Sequence, residues 1–151
     1  MTTLQIGDKA PNFECIDQHG KKVKLSDFKD KKLVLFFYPR ANTPGCTTEA
    51  CNLRDNYRTF IHKGYDILGV SADSEKKQHN FTMKYKLPFS LLADVDKKVI
   101  NAYGVWGPKK FMGKVSDGIH RTTFVIDKDG IITDIIKKVK TKEHTAQILG
   151  E

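Results

Sequence analysis

The chain has 151 residues, of which 39% are hydrophobic and 29% are charged, and its formal net charge is +8. This length predicts one domain spanning residues 1–151, with a core large enough to be stable without disulfides. The composition excludes a disordered chain, and no apolar run approaches the roughly 20 residues that a membrane span needs.

The excess of positive charge raises the question of nucleic-acid binding. The lysines occur as scattered pairs near turns and element ends, which is typical of a solvated surface, so we expect no nucleic-acid partner. The first residues, MTTLQIGDKAPNF, lack the pattern of a signal peptide, which predicts a cytoplasmic protein. In that reducing compartment, a close pair of cysteines is catalytic, redox-sensing or metal-binding rather than a structural disulfide.

In chain order, the first half predicts alternating strands and helices. Residues 17–20 predict the turn of an N-terminal hairpin, and the apolar run 33–38 predicts a strand that is buried on both faces. A helix is predicted from about residue 44 to residue 62, because apolar residues recur at intervals of three and four, and Gly64 ends it. Residues 66–71 predict the next strand.

The second half continues this alternation. Ser74 predicts the cap of a helix that ends near residue 85, followed by a short strand and a helix that Asp94 opens. Residues 105–118 are predicted to be irregular and Gly-rich. A hairpin is predicted around residues 129–130, where Asp-Gly is a strong turn signal, and Thr141 begins a C-terminal helix.

This order of elements predicts an α/β protein with a thioredoxin-like fold, in which helices flank a central mixed sheet and an N-terminal hairpin precedes it. The central strands are expected to be parallel, and the closing hairpin adds antiparallel strands. Ligands bind at the carboxyl ends of the strands in such sheets, and residues 39–46 follow one of these ends.

Cys46 lies in the first turn of the predicted long helix. The unpaired N–H groups and the partial positive charge of a helix start both favour a thiolate, which is the nucleophilic form of cysteine. Thr43 supplies a hydroxyl that can bond to a bound oxygen species, while Pro39 stiffens the loop and Gly45 permits a close approach of the backbone. The loop therefore predicts an exposed, activated sulfur.

Cys51 follows five residues later on the same predicted helix. The two Cα atoms would be roughly 8–9 Å apart, whereas a disulfide requires backbone movement beyond about 7 Å. The pair can therefore form a transient disulfide only if the first turns of the helix unwind. Two alternatives stay open at this stage: a pair of ordinary buried thiols, and a zinc site, for which the dispersed histidines are poorly spaced.

The motif Pro39-x-x-x-Thr43-x-x-Cys46 and the run YPRANTPGCTTEACNLRDN resemble the peroxiredoxin family, in particular its bacterioferritin comigratory protein (Q-type) subgroup. Further matches, such as YGVWG and DGIHRTTFVID, extend the resemblance over essentially the whole chain. The resemblance implies a thioredoxin-like fold and a thiol peroxidase that reduces hydrogen peroxide and organic hydroperoxides to water and alcohols. It implies no metal, haem or flavin cofactor, and electrons from thioredoxin or a similar dithiol.

The resemblance also implies the roles of individual residues. Cys46 corresponds to the peroxidatic thiol that forms a sulfenic acid, and Cys51 to the thiol that resolves it as an intramolecular disulfide. Arg121 corresponds to the cation that stabilises the thiolate and the displaced oxygen. The implied substrate-binding residues are Pro39, Thr43, Gly45, Glu49 and Arg121.

Resolution within one chain needs no second subunit, so the resemblance implies a monomer that acts in antioxidant defence. Two other functions remain as alternatives. A peroxide sensor or relay would use the same site to oxidise a partner protein, and a basic binding module would use the lysines. Cys15 has no motif around it and is predicted to be a buried bystander in a strand.

Overall fold

The computed structural model describes residues 2–150, which contain nine strands and five α-helices. The strands are β1 (Glu14–Ile16), β2 (Lys22–Lys24), β3 (Lys32–Phe37), β4 (Tyr65–Ser71), β5 (Ser90–Ala93), β6 (Trp106–Phe111), β7 (Lys114–Ile119), β8 (Thr122–Ile126) and β9 (Ile132–Ile136). The helices are α1 (Pro44–Asp55), α2 (Tyr57–His62), α3 (Glu75–Tyr85), α4 (Lys98–Ala102) and α5 (His144–Leu149).

The central sheet has the strand order β5-β4-β3-β8-β9. Strands β3, β4 and β5 run parallel, while β8 and β9 pair antiparallel with their neighbours. This arrangement confirms the predicted mixed sheet, and β1 with β2 forms the predicted N-terminal hairpin. Among residues 2–150, no helix has the length and hydropathy of a membrane span.

Strand β3 is apolar along its length because both of its faces are covered. Leu35 and Phe37 belong to the hydrophobic cluster on one face, which also contains residues of α4. Val34 and Phe36 belong to the cluster on the other face, with residues of α1 and α3. The long helix that follows β3 therefore packs directly on the sheet, with its first turn at the carboxyl end of the central strand.

The helix predicted over residues 44–62 is two helices, because the chain breaks at Asn56. The backbone of Asn56 leaves helical geometry at φ −111° and ψ 11°, and its side-chain amide donates to the carbonyl of Asn52 at 2.8 Å. A short polar side chain that bonds a nearby carbonyl competes with the helical hydrogen bonds. The break leaves α1 as a separate segment of 12 residues that carries both Cys46 and Cys51.

The prediction that residues 105–118 are irregular is wrong, because β6 and β7 pair as an antiparallel hairpin. Its turn is formed by Met112 and Gly113, which both have positive φ values of 51° and 80°. Hairpin turns of this kind favour Asn or Gly at both positions, so the methionine concealed the turn signal.

Two predicted helix starts are displaced toward the C-terminus. The helix expected at Asp94 begins at Lys98, because the Asp94 carboxylate accepts the N–H of Ile100 at 2.8 Å from a turn ahead of the helix. The helix expected at Thr141 begins at His144. The Ser74 cap is confirmed, since its hydroxyl accepts the N–H of Lys77 at 3.2 Å.

Candidate active site

A partly buried polar network holds the loop that joins β3 to α1. The Asp73 carboxylate accepts both the N–H of Ala41 and the hydroxyl of Ser71 at 2.7 Å. The Gln78 side chain in turn donates to Ser71 at 2.8 Å. These bonds tie the loop to the ends of β4 and α3, so the first turn of α1 starts from a fixed position.

Cys46 lies in that first turn, and Arg121 approaches it from the short connection between β7 and β8. The Nη2 group of Arg121 donates to Cys46 Sγ at 3.2 Å. The prediction of an exposed sulfur is wrong, since Cys46 is only 1% exposed and packs into the core from the inner face of α1. Its thiol nevertheless borders a cleft, so substrate contact requires entry into that cleft.

Arg121 also contacts Glu49, which is one turn further along α1. Its Nη1 group donates to Glu49 Oε1 at 2.7 Å, and the Glu49 side chain is fully buried. Burial raises the pKa of Glu49 to about 7, although the charge of Arg121 opposes this shift. Burial by itself would lower the pKa of Arg121. The neighbouring Cys46 and Glu49 outweigh this effect, so the pKa of Arg121 is raised overall.

Gly45 leaves room for this guanidinium. A Cβ atom at Gly45 would lie 3.3 Å from Nη2 of Arg121, which is tighter than ordinary van der Waals contact. The sequence suggested that Gly45 permits a close approach to a ligand, and the group that approaches it here is Arg121. A larger side chain at this position would therefore disturb the contact between Arg121 and Cys46.

The cleft in front of Cys46 has a volume of about 1100 Å³ and mixes apolar and charged side chains. The Thr43 hydroxyl donates to the carbonyl of Arg40 at 2.9 Å, so its lone pairs stay available to accept a hydrogen bond from a ligand. The residues lining the cleft are Pro39, Arg40, Thr43, Cys46, Ala72, Asp73, Ser74, Lys77, Val95, Trp106, Lys109, Phe111, Asp117, Gly118, Ile119 and Arg121.

Sequence reasoning missed the contribution of the β6–β7 hairpin to this cleft. Trp106, Lys109 and Phe111 line one side of it. Lys109 Nζ donates to the carbonyl of Ile119 at 2.8 Å, and burial together with the nearby Arg121 lowers the pKa of Lys109. The sequence offers no clear signal for this hairpin, because neither strand alternates regularly between buried and exposed residues.

Cys51 is half-buried on α1 and is not among the residues that line the cleft. Burial raises the pKa of Cys51, while the charge of Arg54 acts in the opposite direction. The structure thus brings Pro39, Thr43, Gly45, Cys46, Glu49 and Arg121 together and leaves Cys51 apart from them. Cys46 and Cys51 are both free thiols in this state.

Cys15 lies in β1, on the other side of the sheet from Cys46, and is half-buried rather than buried. Burial and the charge of Asp94 raise the pKa of Cys15 to about 11. Within residues 2–150, no three His, Cys, Asp or Glu side chains form a group that could hold a metal ion.

Comparisons with known proteins group this chain with thiol peroxidases. Residues 6–135 match the AhpC/TSA family. The chain is 49% identical to peroxiredoxin Bcp of Bacillus subtilis (strain 168), over 97% of this chain and 94% of that protein. It is similar in structure to a PrxQ mutant from Xylella fastidiosa, with a TM-score of 0.92 and 30% identity over 99% of this chain and 96% of that one.

A further similar structure is the Xanthomonas campestris bacterioferritin comigratory protein, with a TM-score of 0.88 and 31% identity over 99% of this chain and 96% of that one. The structures of that protein concern its alkyl peroxide reduction activity and include a trapped intermediate and ligand complexes. These similarities agree with the thioredoxin-like architecture of the central sheet and its flanking helices.

Proposed function

The chain belongs to the AhpC/TSA family and is a peroxiredoxin, and from this premise we propose that it reduces alkyl hydroperoxides and hydrogen peroxide through Cys46. The observation that carries this proposal is the 3.2 Å hydrogen bond from Arg121 Nη2 to Cys46 Sγ at the edge of the cleft. A permanent cation beside a thiol favours the thiolate, which is the form that attacks the peroxide.

In the first step, the Cys46 thiolate attacks the terminal oxygen of the hydroperoxide. The S–O bond forms while the O–O bond breaks, and the departing oxygen takes a proton and leaves as alcohol or water. Arg121 stabilises the negative charge that develops on that oxygen, and the lone pairs of Thr43 accept the hydrogen bond of the hydroperoxide. The product on the enzyme is a Cys46 sulfenic acid.

In the second step, the Cys51 thiol attacks the sulfenic sulfur, so that the S–S bond forms and water leaves. Both cysteines lie within the continuous helix α1, so this step requires α1 to unwind. Unwinding breaks the contact of Glu49 with Arg121 and the bonds that Asn52 makes to Thr145 of α5 and to Lys142 just ahead of it. The resolving step is thus coupled to a local opening of the structure.

The shape and lining of the cleft support organic hydroperoxides as substrates. Val95, Trp106, Phe111 and Ile119 give it an apolar surface that suits an alkyl chain, next to the polar groups around Cys46. Hydrogen peroxide fits the same site without using this surface. We therefore expect alkyl hydroperoxides to gain binding free energy that hydrogen peroxide does not.

An external dithiol such as thioredoxin would then reduce the Cys46–Cys51 disulfide by thiol–disulfide exchange. Both thiols come from one chain, which supports action as a monomer. The chemistry suits antioxidant defence in a reducing compartment such as the cytoplasm.

The test is intact mass and peptide mapping after one equivalent of cumene hydroperoxide, followed by an NADPH-coupled assay with thioredoxin and its reductase. We expect a Cys46–Cys51 disulfide and sustained turnover. Oxidation at a different thiol, with Cys46 and Cys51 unlinked, would contradict the proposal. A correct disulfide without turnover on any dithiol would instead favour a sensor or relay that oxidises a partner protein.

A further inference from the structure

His144 is a buried titratable residue that the peroxidase chemistry described above leaves unused. It is fully buried at the start of α5, and its Nε2 atom lies 3.4 Å from Glu49 Oε2. The same Nε2 atom lies 2.7 Å from the hydroxyl oxygen of Thr123. Glu49 Oε2 has no hydrogen-bond partner among the described residues, so the imidazole is the polar group it faces.

The hydrogen bonds around α5 assign the tautomer of this imidazole. The Gln147 side chain accepts from the N–H of Lys140 at 2.8 Å and donates to the carbonyl of Lys138 at 2.9 Å, which fixes the orientation of its amide. Its oxygen lies 2.9 Å from His144 Nδ1, so Nδ1 carries the ring proton. In the neutral ring, Nε2 is therefore an acceptor.

An acceptor nitrogen and an ionised carboxylate oxygen repel each other in a buried site. The Nε2 lone pair already accepts the Thr123 hydroxyl, so the contact between His144 and Glu49 is least unfavourable when one of the two groups carries an additional proton. Burial raises the pKa of Glu49 to about 7 and lowers the pKa of His144, and both directions place that proton on the carboxyl side. The charged and titratable groups that face this pair are Arg121, ahead of β8, and beyond it Cys46 on α1.

We propose that His144 is a positioning residue for the peroxidatic thiol: its imidazole lies against the Glu49 oxygen that Arg121 does not contact, favours the protonated carboxyl group and so fixes the group that holds Arg121 against Cys46. This inference rests on the proposed function, in which Cys46 is the nucleophile. While the pair keeps its proton, the charge of Arg121 acts mainly on the Cys46 sulfur. When the pair loses the proton, the Glu49 carboxylate competes with the thiolate for the same guanidinium.

Two variants of the full chain distinguish the role of the polar contact with Glu49 from the role of the Glu49 proton. In His144→Gln the amide can donate to Glu49 Oε2 but cannot take up its proton, whereas His144→Leu removes the polar partner altogether. We would carry both in a Cys51→Ser background, which prevents resolution. The measurement is the rate of Cys46 alkylation by iodoacetamide from about pH 5 to about pH 9, with peptide mapping to identify the labelled thiol.

We expect the parent profile to contain a step that comes from the buried pair. His144→Gln should move this step to lower pH, because the amide N–H stabilises the ionised Glu49 carboxylate, and should keep the parent rate within about threefold at low pH, where Glu49 is protonated. His144→Leu should react about tenfold more slowly near pH 7, because Arg121 loses its fixed carboxyl partner. If both variants melt as folded proteins and reproduce the parent profile, the inference is wrong.

A second measurement uses the unmodified protein and so does not depend on whether a variant folds. Nitrogen-15 NMR of the imidazole should show His144 protonated on Nδ1, and Glu49→Gln should shift the Nε2 signal. A neutral ring protonated on Nε2 would overturn the inference. Failure of Cys46 to react with cumene hydroperoxide in the same unmodified protein would instead overturn the proposed function.

Discussion

Cys46 and Cys15 lie on opposite sides of the central sheet, and their surroundings differ in charge. Cys46 is the more buried of the two, yet its sulfur accepts a hydrogen bond from Arg121. Cys15 is more accessible, but burial and the nearby Asp94 raise its pKa to about 11. Under the proposed function, exposure alone would therefore select the wrong thiol, and the sign of the neighbouring charge distinguishes the reactive sulfur from the inert one.

The comparison is tested most directly by removing the proposed nucleophile. Cys46→Ser should lower the rate of cumene hydroperoxide reduction by at least about a thousandfold, because a serine hydroxyl is not ionised at neutral pH. The measurement is the thioredoxin-coupled NADPH assay, with circular dichroism to confirm folding. A rate within tenfold of the parent would mean that another thiol carries the reaction.

Removing the positive charge of Arg121 tests whether a neighbouring cation makes Cys46 reactive. Arg121→Ala should slow the oxidation of Cys46 about a hundredfold, because both the thiolate and the displaced oxygen lose a donor. Arg121→Lys should lie between this variant and the parent, since it keeps the charge but cannot contact Cys46 and Glu49 with two separate nitrogens. Stopped-flow measurement of single-turnover oxidation gives both rates, and equal rates for the two variants would show that charge is not the deciding property.

The buried carboxyl next to Arg121 predicts a pH dependence of stability. The pKa of Glu49 is raised from 4.5 to about 7 on folding, so the folded state binds the extra proton and the associated stability is lost as pH rises through about 7. His144, whose pKa is lowered from 6.5, contributes the opposite slope below that pH. The net fall should stay below about 1.4 kcal/mol per pH unit.

The measurement is urea unfolding between about pH 5 and about pH 8. Glu49→Gln should flatten the loss of stability that the carboxyl causes, because the amide does not titrate. The raised pKa of Glu49 would be contradicted by a parent stability that rises steadily across this range, together with an unchanged slope in Glu49→Gln.

A further difference between the two thiols is that Cys46 lies in a helix that must unwind in the proposed resolving step, whereas Cys15 lies in a strand. The Asn52 side chain accepts from the N–H of Thr145 at 2.8 Å and donates to the carbonyl of Lys142 at 2.9 Å, which ties α1 to α5. Asn52→Ala should therefore speed disulfide formation about threefold to tenfold, since opening breaks fewer bonds.

This effect is read from the rate of Cys46–Cys51 disulfide formation after a peroxide pulse, by acid quench and mass mapping. Asn101→Ala is the matched control, because Asn101 is an exposed residue of α4, which packs on the opposite face of the sheet from α1. A slower or unchanged rate in Asn52→Ala would mean that α5 does not restrain the opening of α1.

The parts of the site that were predictable from sequence are those in which chain neighbours are also neighbours in space. The apolar run of β3, the loop after it and the helix start at Cys46 are continuous in the chain, so local patterns placed them correctly. The contact of Arg121 with Glu49 spans 72 residues, and only the family resemblance placed Arg121 near the site.

The remaining features depended on side-chain contacts that no local pattern contains. The break at Asn56 comes from a side-chain bond to Asn52, and the β6–β7 hairpin turns through a methionine with positive φ. His144 appears in the sequence as an ordinary polar residue near a helix start. Its contacts with Thr123 and Glu49 exist only because β8, α1 and α5 pack together around it.

The smallest expected effect belongs to Cys15, and it completes the comparison. Cys15→Ser should leave cumene hydroperoxide reduction within about twofold of the parent, because Cys15 is outside the cleft and faces Asp94 rather than a cation. In the parent, iodoacetamide at about pH 8 should label Cys46 well before Cys15, although Cys46 is the more buried thiol. Mass mapping of a labelling time course decides this order. If Cys15 reacts first, accessibility rather than the sign of the local charge governs thiol reactivity in this protein.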